Sequence, residues 1–229
     1  MFNHVECPEI PDLKTKNING KRHYVVGDGK YYPSVTTVTS LLSRKGIADW
    51  RKKVGNEKAN RISTKASRRG TAIHTICEKY LDNEDPFKKI MPSNRETFNS
   101  IKSILDDNIN NIRAQEVALY SDYLGLAGRC DCIAEYDGIL SIIDFKTSGK
   151  VKKYEWCHGY FIQECAYAIM WEERTGIPIT QLVTIMAVDD NPPQVFIEHR
   201  DTWSQQLIDL IDQYKREQNE SRAYGTEGR

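Results

Sequence analysis

The chain has 229 residues, of which 39% are hydrophobic and 28% are charged. That composition is ordinary for a globular protein and too apolar for a disordered one, and the length predicts one domain, or one domain with an insertion. The longest apolar run covers only residues 165–171, which excludes a membrane-spanning helix of ~18 apolar residues.

Positive charge is concentrated in the first third of the chain. Residues 1–70 hold 15 Lys and Arg against 6 Asp and Glu, whereas residues 71–229 hold 17 against 26. We therefore expect a basic element attached to an acidic body, and the near-neutral pI does not exclude a polyanionic partner. The first residues lack an apolar signal core, and their acidic side chains argue against a transit peptide, which predicts a cytoplasmic protein.

The first predicted elements are a β-hairpin and several helices. Residues 23–26 and 30–32 have the pattern of strands joined by the turn Gly27-Asp28-Gly29. Ser34 is typical of an N-cap, so a helix is expected from there to Leu42. Helical periodicity covers residues 47–81, with breaks near Gly55 and Gly70. A helix is also expected over 95–112, from the apolar stripe Phe98, Ile101, Ile104/Leu105, Ile109 and Ile112.

The second half of the chain alternates strands and helices. Strands are expected over 116–120, 127–136, 139–147, 182–188 and 195–199, and helices over 154–174 and 203–215. Asp137-Gly138 forms a hairpin turn between the second and third of these strands. We predict an α/β fold with a small mixed sheet flanked by helices. An N-terminal hairpin and basic helical cover occupy 1–70, the core occupies 71–215, and 216–229 form a flexible tail of one compact domain.

The predicted hairpin brings charged residues together. Asp144 and Lys146 are two residues apart on one strand, so their side chains share a face. Counted from the turn, Asp131 lies opposite Asp144, with Cβ atoms ~4.5–5.5 Å apart. Two carboxylates at that distance repel unless a cation lies between them, and hard oxygen ligands favour Mg²⁺ or Mn²⁺. A simple ion pair at the end of an edge strand is the alternative.

Four further polar residues accompany this pair. His74 lies on a helix beside an apolar stripe, and Glu116 begins the strand before Asp131. Gln163 and Tyr167 are one turn apart on the helix that follows Lys146. Taken singly, each of the four also fits an ordinary structural role, as a satisfied core residue or a polar surface residue.

The six cysteines give little support for a metal or cluster site. None forms a C-x-x-C pair, and Cys130 and Cys132 are expected to share the strand face turned away from Asp131. Buried reduced thiols are therefore expected rather than zinc or iron–sulfur ligands.

The ordered set of residues resembles the RecB-like branch of the PD-(D/E)XK nuclease superfamily, over roughly residues 31–176. Residues 32–36 followed by Trp50 are also similar to the first segment of compact phage exonucleases and of the mitochondrial genome maintenance exonuclease. The matching residues are Arg69-Gly70-Thr71-x-x-His74, Glu116, Gly128-Arg129-x-Asp131, Asp144-x-Lys146 and Gln163-x-x-x-Tyr167. The resemblance implies a restriction-endonuclease-like core without an iron–sulfur cluster, and the compact form suggests a phage protein in the bacterial host cytoplasm.

The resemblance also implies a divalent-metal-dependent DNA exonuclease. Its metal ligands for Mg²⁺ or Mn²⁺ would be His74, Asp131, Asp144 and the Phe145 carbonyl, with Glu116 completing a second site or orienting water. Lys146 would orient the attacking water and stabilise charge on the phosphoryl oxygens. Gln163 and Tyr167 would position the substrate backbone or Lys146.

The basic segment would then guide DNA. Residues 44–69 hold 10 Lys and Arg against 2 acidic residues. A single strand or strand end is expected to contact Lys58, Arg61, Lys65, Arg68, Arg69 and Tyr167. The neighbouring stripe of Ala59, Ile62 and Ala66 is expected to pack on the body. Two alternatives stay open: a metal-dependent structure-specific endonuclease or junction resolvase, and a non-catalytic nucleic-acid-binding module on the same fold. No membrane partner is expected, and protein partners cannot be inferred.

Overall fold

A computed structural model of the protein describes residues 1–27 and 29–226, with side chains described as far as residue 221. Asp28 of the predicted hairpin turn and residues 227–229 of the predicted tail lie outside the described residues.

The N-terminal strands form a small sheet of their own. Strands β1 (Thr15–Ile18), β2 (Lys21–Val26) and β3 (Lys30–Pro33) pair antiparallel in that order. The hairpin of β2 and β3 was predicted, whereas β1 was not, because its polar and largely exposed residues show no apolar alternation. Tyr24 and Val26 pack with Ala127 of the main sheet, which attaches the small sheet to the body.

Two long helices follow, α1 (Val35–Val54) and α2 (Asn56–Leu81). Ser34 caps α1 as predicted, since its hydroxyl accepts a hydrogen bond from the Thr37 amide at 3.1 Å. Helix α1 continues past its predicted end at Leu42, and Gly55, with φ 84°, separates the two helices. The predicted break at Gly70 is wrong, because an internal glycine weakens a helix by only ~1 kcal/mol and α2 runs through it.

Helix α3 (Pro92–Asn108) leads directly into strand β4 (Ile109–Ser121). The predicted helix over 95–112 therefore ends too late. Ile109 and Ile112 are buried as expected, at 4% and 1% exposure, but from a strand. Burial of apolar residues alone did not identify the type of element here.

The main sheet has five strands in the order β4-β5-β6-β7-β8. Its further members are β5 (Leu126–Tyr136), β6 (Ile139–Ser148), β7 (Gln181–Val188) and β8 (Gln194–His199). The β5–β6 hairpin pairs Tyr136 with Ile139, as predicted. Strand β6 runs parallel to β7, and the other neighbouring strands of this sheet are antiparallel, so the sheet is mixed.

Helices cover both faces of this sheet. A 3₁₀ turn (Tyr154–Trp156) and α4 (His158–Thr175) connect β6 to β7, and α5 (Arg200–Thr226) follows β8. Residues 216–226 of the predicted flexible tail thus continue a helix. One face of the sheet buries Phe161 and Trp171 of α4 with Trp203 of α5, and the other buries Ile73 of α2 with Phe98 of α3.

A helix that spans a membrane needs about 20 predominantly apolar residues. No helix within the described residues is long and apolar enough to cross a bilayer.

Candidate metal centre and nucleic-acid interface

Three predicted ligands converge where α2 crosses strands β4 and β5. His74 Nδ1 lies 3.4 Å from Asp131 Oδ1 and 4.0 Å from Glu116 Oε1. One ligand atom from each of these residues lies within 4.8 Å of the other two. Burial disfavours the protonated form of His74 and so lowers its pKa. The hydrogen bond to the Asp131 carboxylate and its negative charge have a larger, opposite effect, and the pKa of His74 is raised to about 9.

Strand β4 is distorted at its ligand. Glu116 has φ 46°, in the left-handed region that side chains other than glycine rarely adopt. The Arg129 guanidinium donates a hydrogen bond to the Glu116 carbonyl and so holds this backbone in place. Burial and the nearby Asp131 carboxylate raise the pKa of Glu116 to about 7.

The alternation of side chains along β5 is also interrupted, at Asp131. Cys130 packs in the core under α4, whereas Cys132 packs in the core under α2. The prediction that these two cysteines share a face is therefore wrong. It assumed regular strand alternation, which the chain does not keep opposite the unusual backbone of Glu116.

Asp131 lies where β5 and β6 stop pairing. Paired residues of this ladder end at Cys132 and Ile143, one position before Asp131 and Asp144 would face each other. Asp131 Oδ2 instead accepts a hydrogen bond from the Phe145 amide at 2.9 Å. Burial raises the pKa of Asp131, but the interaction with His74 and the charge of Lys146 outweigh it, so the net direction is downward. The carboxylate is therefore ionised and anchored to β6.

Asp144 and Lys146 form the second half of the site, on the side of α4. Lys146 Nζ lies 2.5 Å from Asp144 Oδ2, and Gln163 Nε2 donates a hydrogen bond to Asp144 Oδ1 at 2.9 Å. Burial raises the pKa of Asp144 to about 6 despite the lysine. The Lys146 ammonium also lies 5.2 Å from the centre of the Tyr160 ring. Gln163 thus holds Asp144 directly and Lys146 only through it.

The structure therefore groups the predicted ligands differently from the sequence. Glu116 joins His74 and Asp131 in the compact group, whereas the Asp144 carboxylate is engaged by Gln163 and Lys146. One imidazole nitrogen and several carboxylate oxygens are a donor set that suits Mg²⁺ or Mn²⁺.

One buried acid near the site was not predicted. Glu164 is 0% exposed, accepts a hydrogen bond from the Thr184 hydroxyl, and leaves its Oε2 without a hydrogen-bond partner among the described residues. Burial and the charge of Asp144 hold the pKa of Glu164 well above its usual range. Its sequence signal was a glutamate directly after Gln163 in a stretch of α4 that is otherwise largely apolar.

Tyr167 is placed differently from its predicted DNA-binding role. It is 2% exposed, and its ring lies directly against Gly128 of β5. The ring is therefore not accessible to DNA in this structure, and its burial gives no support to the predicted DNA contact of Tyr167. Its position supports β5 three residues before Asp131.

The predicted basic stripe lies on an exposed stretch of α2. Lys58, Arg61, Lys65 and Arg68 are all exposed there. The predicted packing of the neighbouring apolar stripe holds only for Ala59, which is 0% exposed, because Ile62 is 44% exposed and Ala66 is also exposed. This half of α2 consequently presents both charged and apolar groups to solvent.

Arg69 is committed to the protein itself. Its guanidinium contacts both carboxylate oxygens of Asp189, with Nη1–Oδ2 at 2.6 Å and Nη2–Oδ1 at 2.5 Å. The pair joins α2 to the turn after β7, one and a half helical turns before His74. It also lines a groove of about 1230 Å³ whose other walls include Arg61, Lys65 and Arg68. Arg69 therefore fixes one wall of the groove instead of presenting a free cation.

Comparisons with known proteins found two partial matches, and both are named as exonucleases. No protein-family model matches the chain. The chain is 28% identical over 134 residues to mitochondrial genome maintenance exonuclease 1 of Homo sapiens, a match that covers 53% of this chain and 38% of that protein. It thus spans well under half the length of this curated relative. A solved structure from Eubacterium rectale, described as a "putative exonuclease", matches with a TM-score of 0.44 and 16% identity, over 65% of this chain and 64% of that one.

Proposed function

We propose that the protein is a divalent-metal-dependent nuclease of the PD-(D/E)XK type that hydrolyses DNA from strand ends. The observation that carries the proposal is the convergence of His74, Glu116 and Asp131 beside the buried pair of Asp144 and Lys146. The similarity to part of the mitochondrial exonuclease supports the same reaction class.

The side chains fit a hard divalent cation. His74, Glu116 and Asp131 would hold it, with Asp144 and the Phe145 carbonyl as further donors. The pKa of Glu116 at about 7 means that this carboxyl releases a proton when it becomes a ligand. A bound Mg²⁺ or Mn²⁺ supplies positive charge that polarises the scissile phosphate and lowers the pKa of a water molecule.

Lys146 is the proposed catalytic cation. Burial lowers its pKa, but the charges of Asp144 and Asp131 more than compensate, so its ammonium stays protonated. Held by Asp144, it would orient the attacking water and stabilise the negative charge that builds on the phosphoryl oxygens. Gln163 positions Asp144 and therefore Lys146.

The exposed basic stripe of α2 favours a nucleic-acid substrate. Its cations would follow the phosphates of one strand without reading its sequence. Because α2 carries both this stripe and His74, a strand lying along the helix would be led toward the metal centre. Single strands, or strand ends that can be threaded, are the substrate that this arrangement favours.

End-labelled single- and double-stranded DNA, incubated with Mg²⁺ or Mn²⁺, tests the proposal. We expect cleavage of linear DNA by the wild type, none in EDTA, and none by Asp144→Asn. A covalently closed single-stranded circle should resist digestion, since an exonuclease needs an end. Digestion of the circle would favour the endonuclease alternative. Binding without cleavage under every metal condition would favour the non-catalytic module.

A further inference from the structure

The segment between β6 and α4 carries an unassigned aromatic and basic cluster. Residues 149–157 contain three lysines, and Trp156 is 51% exposed. Lys150 Nζ lies 5.1 Å and Lys153 Nζ 5.6 Å from the centre of the Trp156 ring. An indole that is half open to solvent and flanked by two ammonium groups forms a compact, positively charged aromatic surface.

The backbone of this segment is firmly held. Lys152 donates its amide hydrogen to Gln194 Oε1 at 2.8 Å, and its carbonyl accepts from Gln194 Nε2 at 2.9 Å. The Tyr154 hydroxyl donates to Glu198 at 2.8 Å, and the Tyr154 ring lies 5.4 Å from that of Phe161. These contacts tie the segment to β8 and α4, so the exposure of Trp156 belongs to an ordered surface.

Each end of the cluster continues into an element that positions Lys146, with β6 on one side and α4 on the other. Lys150 follows Lys146 by four residues, and the Ser148 hydroxyl donates to the Lys150 carbonyl at 2.6 Å. On the other side, Trp156 precedes Tyr160 by four residues, and the Tyr160 ring lies 5.2 Å from Lys146 Nζ. Trp156 therefore lies in the short connection between the two elements that hold Lys146.

We propose that Trp156, Lys150 and Lys153 bind a nucleotide of single-stranded DNA, the indole by stacking on the base and the lysines by pairing with phosphates. The inference rests on the proposed function and identifies a second contact region, separate from the stripe on α2. Positive charge beside an aromatic face matches the two chemical parts of a nucleotide, which are an anionic phosphate and a flat base. An acidic protein partner would pair with the same two lysines, but its binding would not involve the stacking of a nucleotide base on Trp156.

The test uses oligothymidine labelled at one end, with binding measured in EDTA so that cleavage does not interfere. Trp156→Ala should weaken binding by about tenfold, and Trp156→Phe should restore most of the loss, since one stacked base contributes about that much affinity. An oligonucleotide with abasic sites should bind wild type and Trp156→Ala equally. Lys150→Gln with Lys153→Gln should flatten the salt dependence of binding by a log–log slope of ~1.4, or ~0.7 per lost phosphate contact.

Tyr123→Ala is the matched control, since Tyr123 is 78% exposed in the turn between β4 and β5. It should change neither binding nor cleavage. Unchanged binding by Trp156→Ala overturns the inference and leaves an acidic protein partner as the alternative. An equal loss on normal and abasic DNA also overturns it, because the indole would then not stack on a base. If the wild type cleaves DNA while Trp156→Ala binds normally, only this inference fails. If the wild type neither binds nor cleaves DNA, the proposed function fails as well.

Discussion

The contact between Gly128 and Tyr167 predicts a measurable cost for the smallest possible substitution. A Cβ added at Gly128 would lie 2.6 Å from Tyr167 Cε1, 2.9 Å from its hydroxyl oxygen and 3.2 Å from Cζ. Carbon atoms in contact prefer about 3.5–4.0 Å, so the ring would have to move by about 1 Å. Tyr167 is 2% exposed, so its ring would have to move against the packed interior of the protein. Overpacking of this kind costs about 1–3 kcal/mol of unfolding free energy.

Urea denaturation measures this cost for Gly128→Ala, with Gly159→Ala as the control. The Cβ at Gly159 would lie 3.7 Å from Leu42 Cδ1, an ordinary contact, so the control should not lose stability. Tyr167→Leu removes the ring, so the double variant Gly128→Ala/Tyr167→Leu should lose less stability than the two single losses combined. Nuclease turnover should also fall in Gly128→Ala, because Asp131 lies three residues further along β5. Losses that add within about 0.3–0.5 kcal/mol would refute the contact.

Four further outcomes follow from the site. Lys146→Ala should lower turnover by ~10²–10⁴-fold with a much smaller change in DNA affinity; lost affinity at unchanged turnover would make Lys146 a phosphate contact only. Asp131→Asn should lower the metal-free melting temperature, since it removes the charge facing His74, and Mn²⁺ should then stabilise only the wild type. Glu116, with its pKa raised to about 7 by burial, makes the metal-free protein less stable as the pH rises from 5 to 7, so Glu116→Gln should flatten that profile in thermal melts. The log–log salt slope of single-strand binding should fall by ~2 when Lys58, Arg61 and Lys65 of the α2 stripe are all replaced by Gln. An unchanged slope would mean that these three cations only face water.

Local sequence signals were enough to predict which residues come together at the candidate site. The Asp137-Gly138 turn fixed the β5–β6 register, because the turn and the alternating strands specify the pairing within a few residues. That register brought Asp131 near the strand of Asp144 and Lys146. The N-cap at Ser34 and the strand pair of β7 and β8 were predictable for the same reason, since their signals lie within a few residues of each other.

Features that depend on tertiary contacts were not predictable from the sequence. Tyr167 fits a surface role by its helical spacing, yet its ring is buried against Gly128 of β5, where the missing side chain leaves room for it. Arg69 belongs to a basic run, yet its partner Asp189 is distant in sequence and approaches only because β7 ends beside β6. Helix α2 passes through Gly70 because one internal glycine costs only ~1 kcal/mol, and the turns after it pack Ile73, Ile76 and Cys77 in the core.

Because the backbone of Glu116 is left-handed, selection for stability and selection for DNA cleavage should favour different residues at this position. A side chain there costs about 1 kcal/mol relative to glycine, which adopts the same φ without strain. A library screened for heat resistance should therefore enrich glycine at this position, whereas one screened for DNA cleavage should retain glutamate. The chain has glutamate, the more strained residue, at this position. The strain lowers the stability of the protein, but it places a carboxylate close to His74 and Asp131.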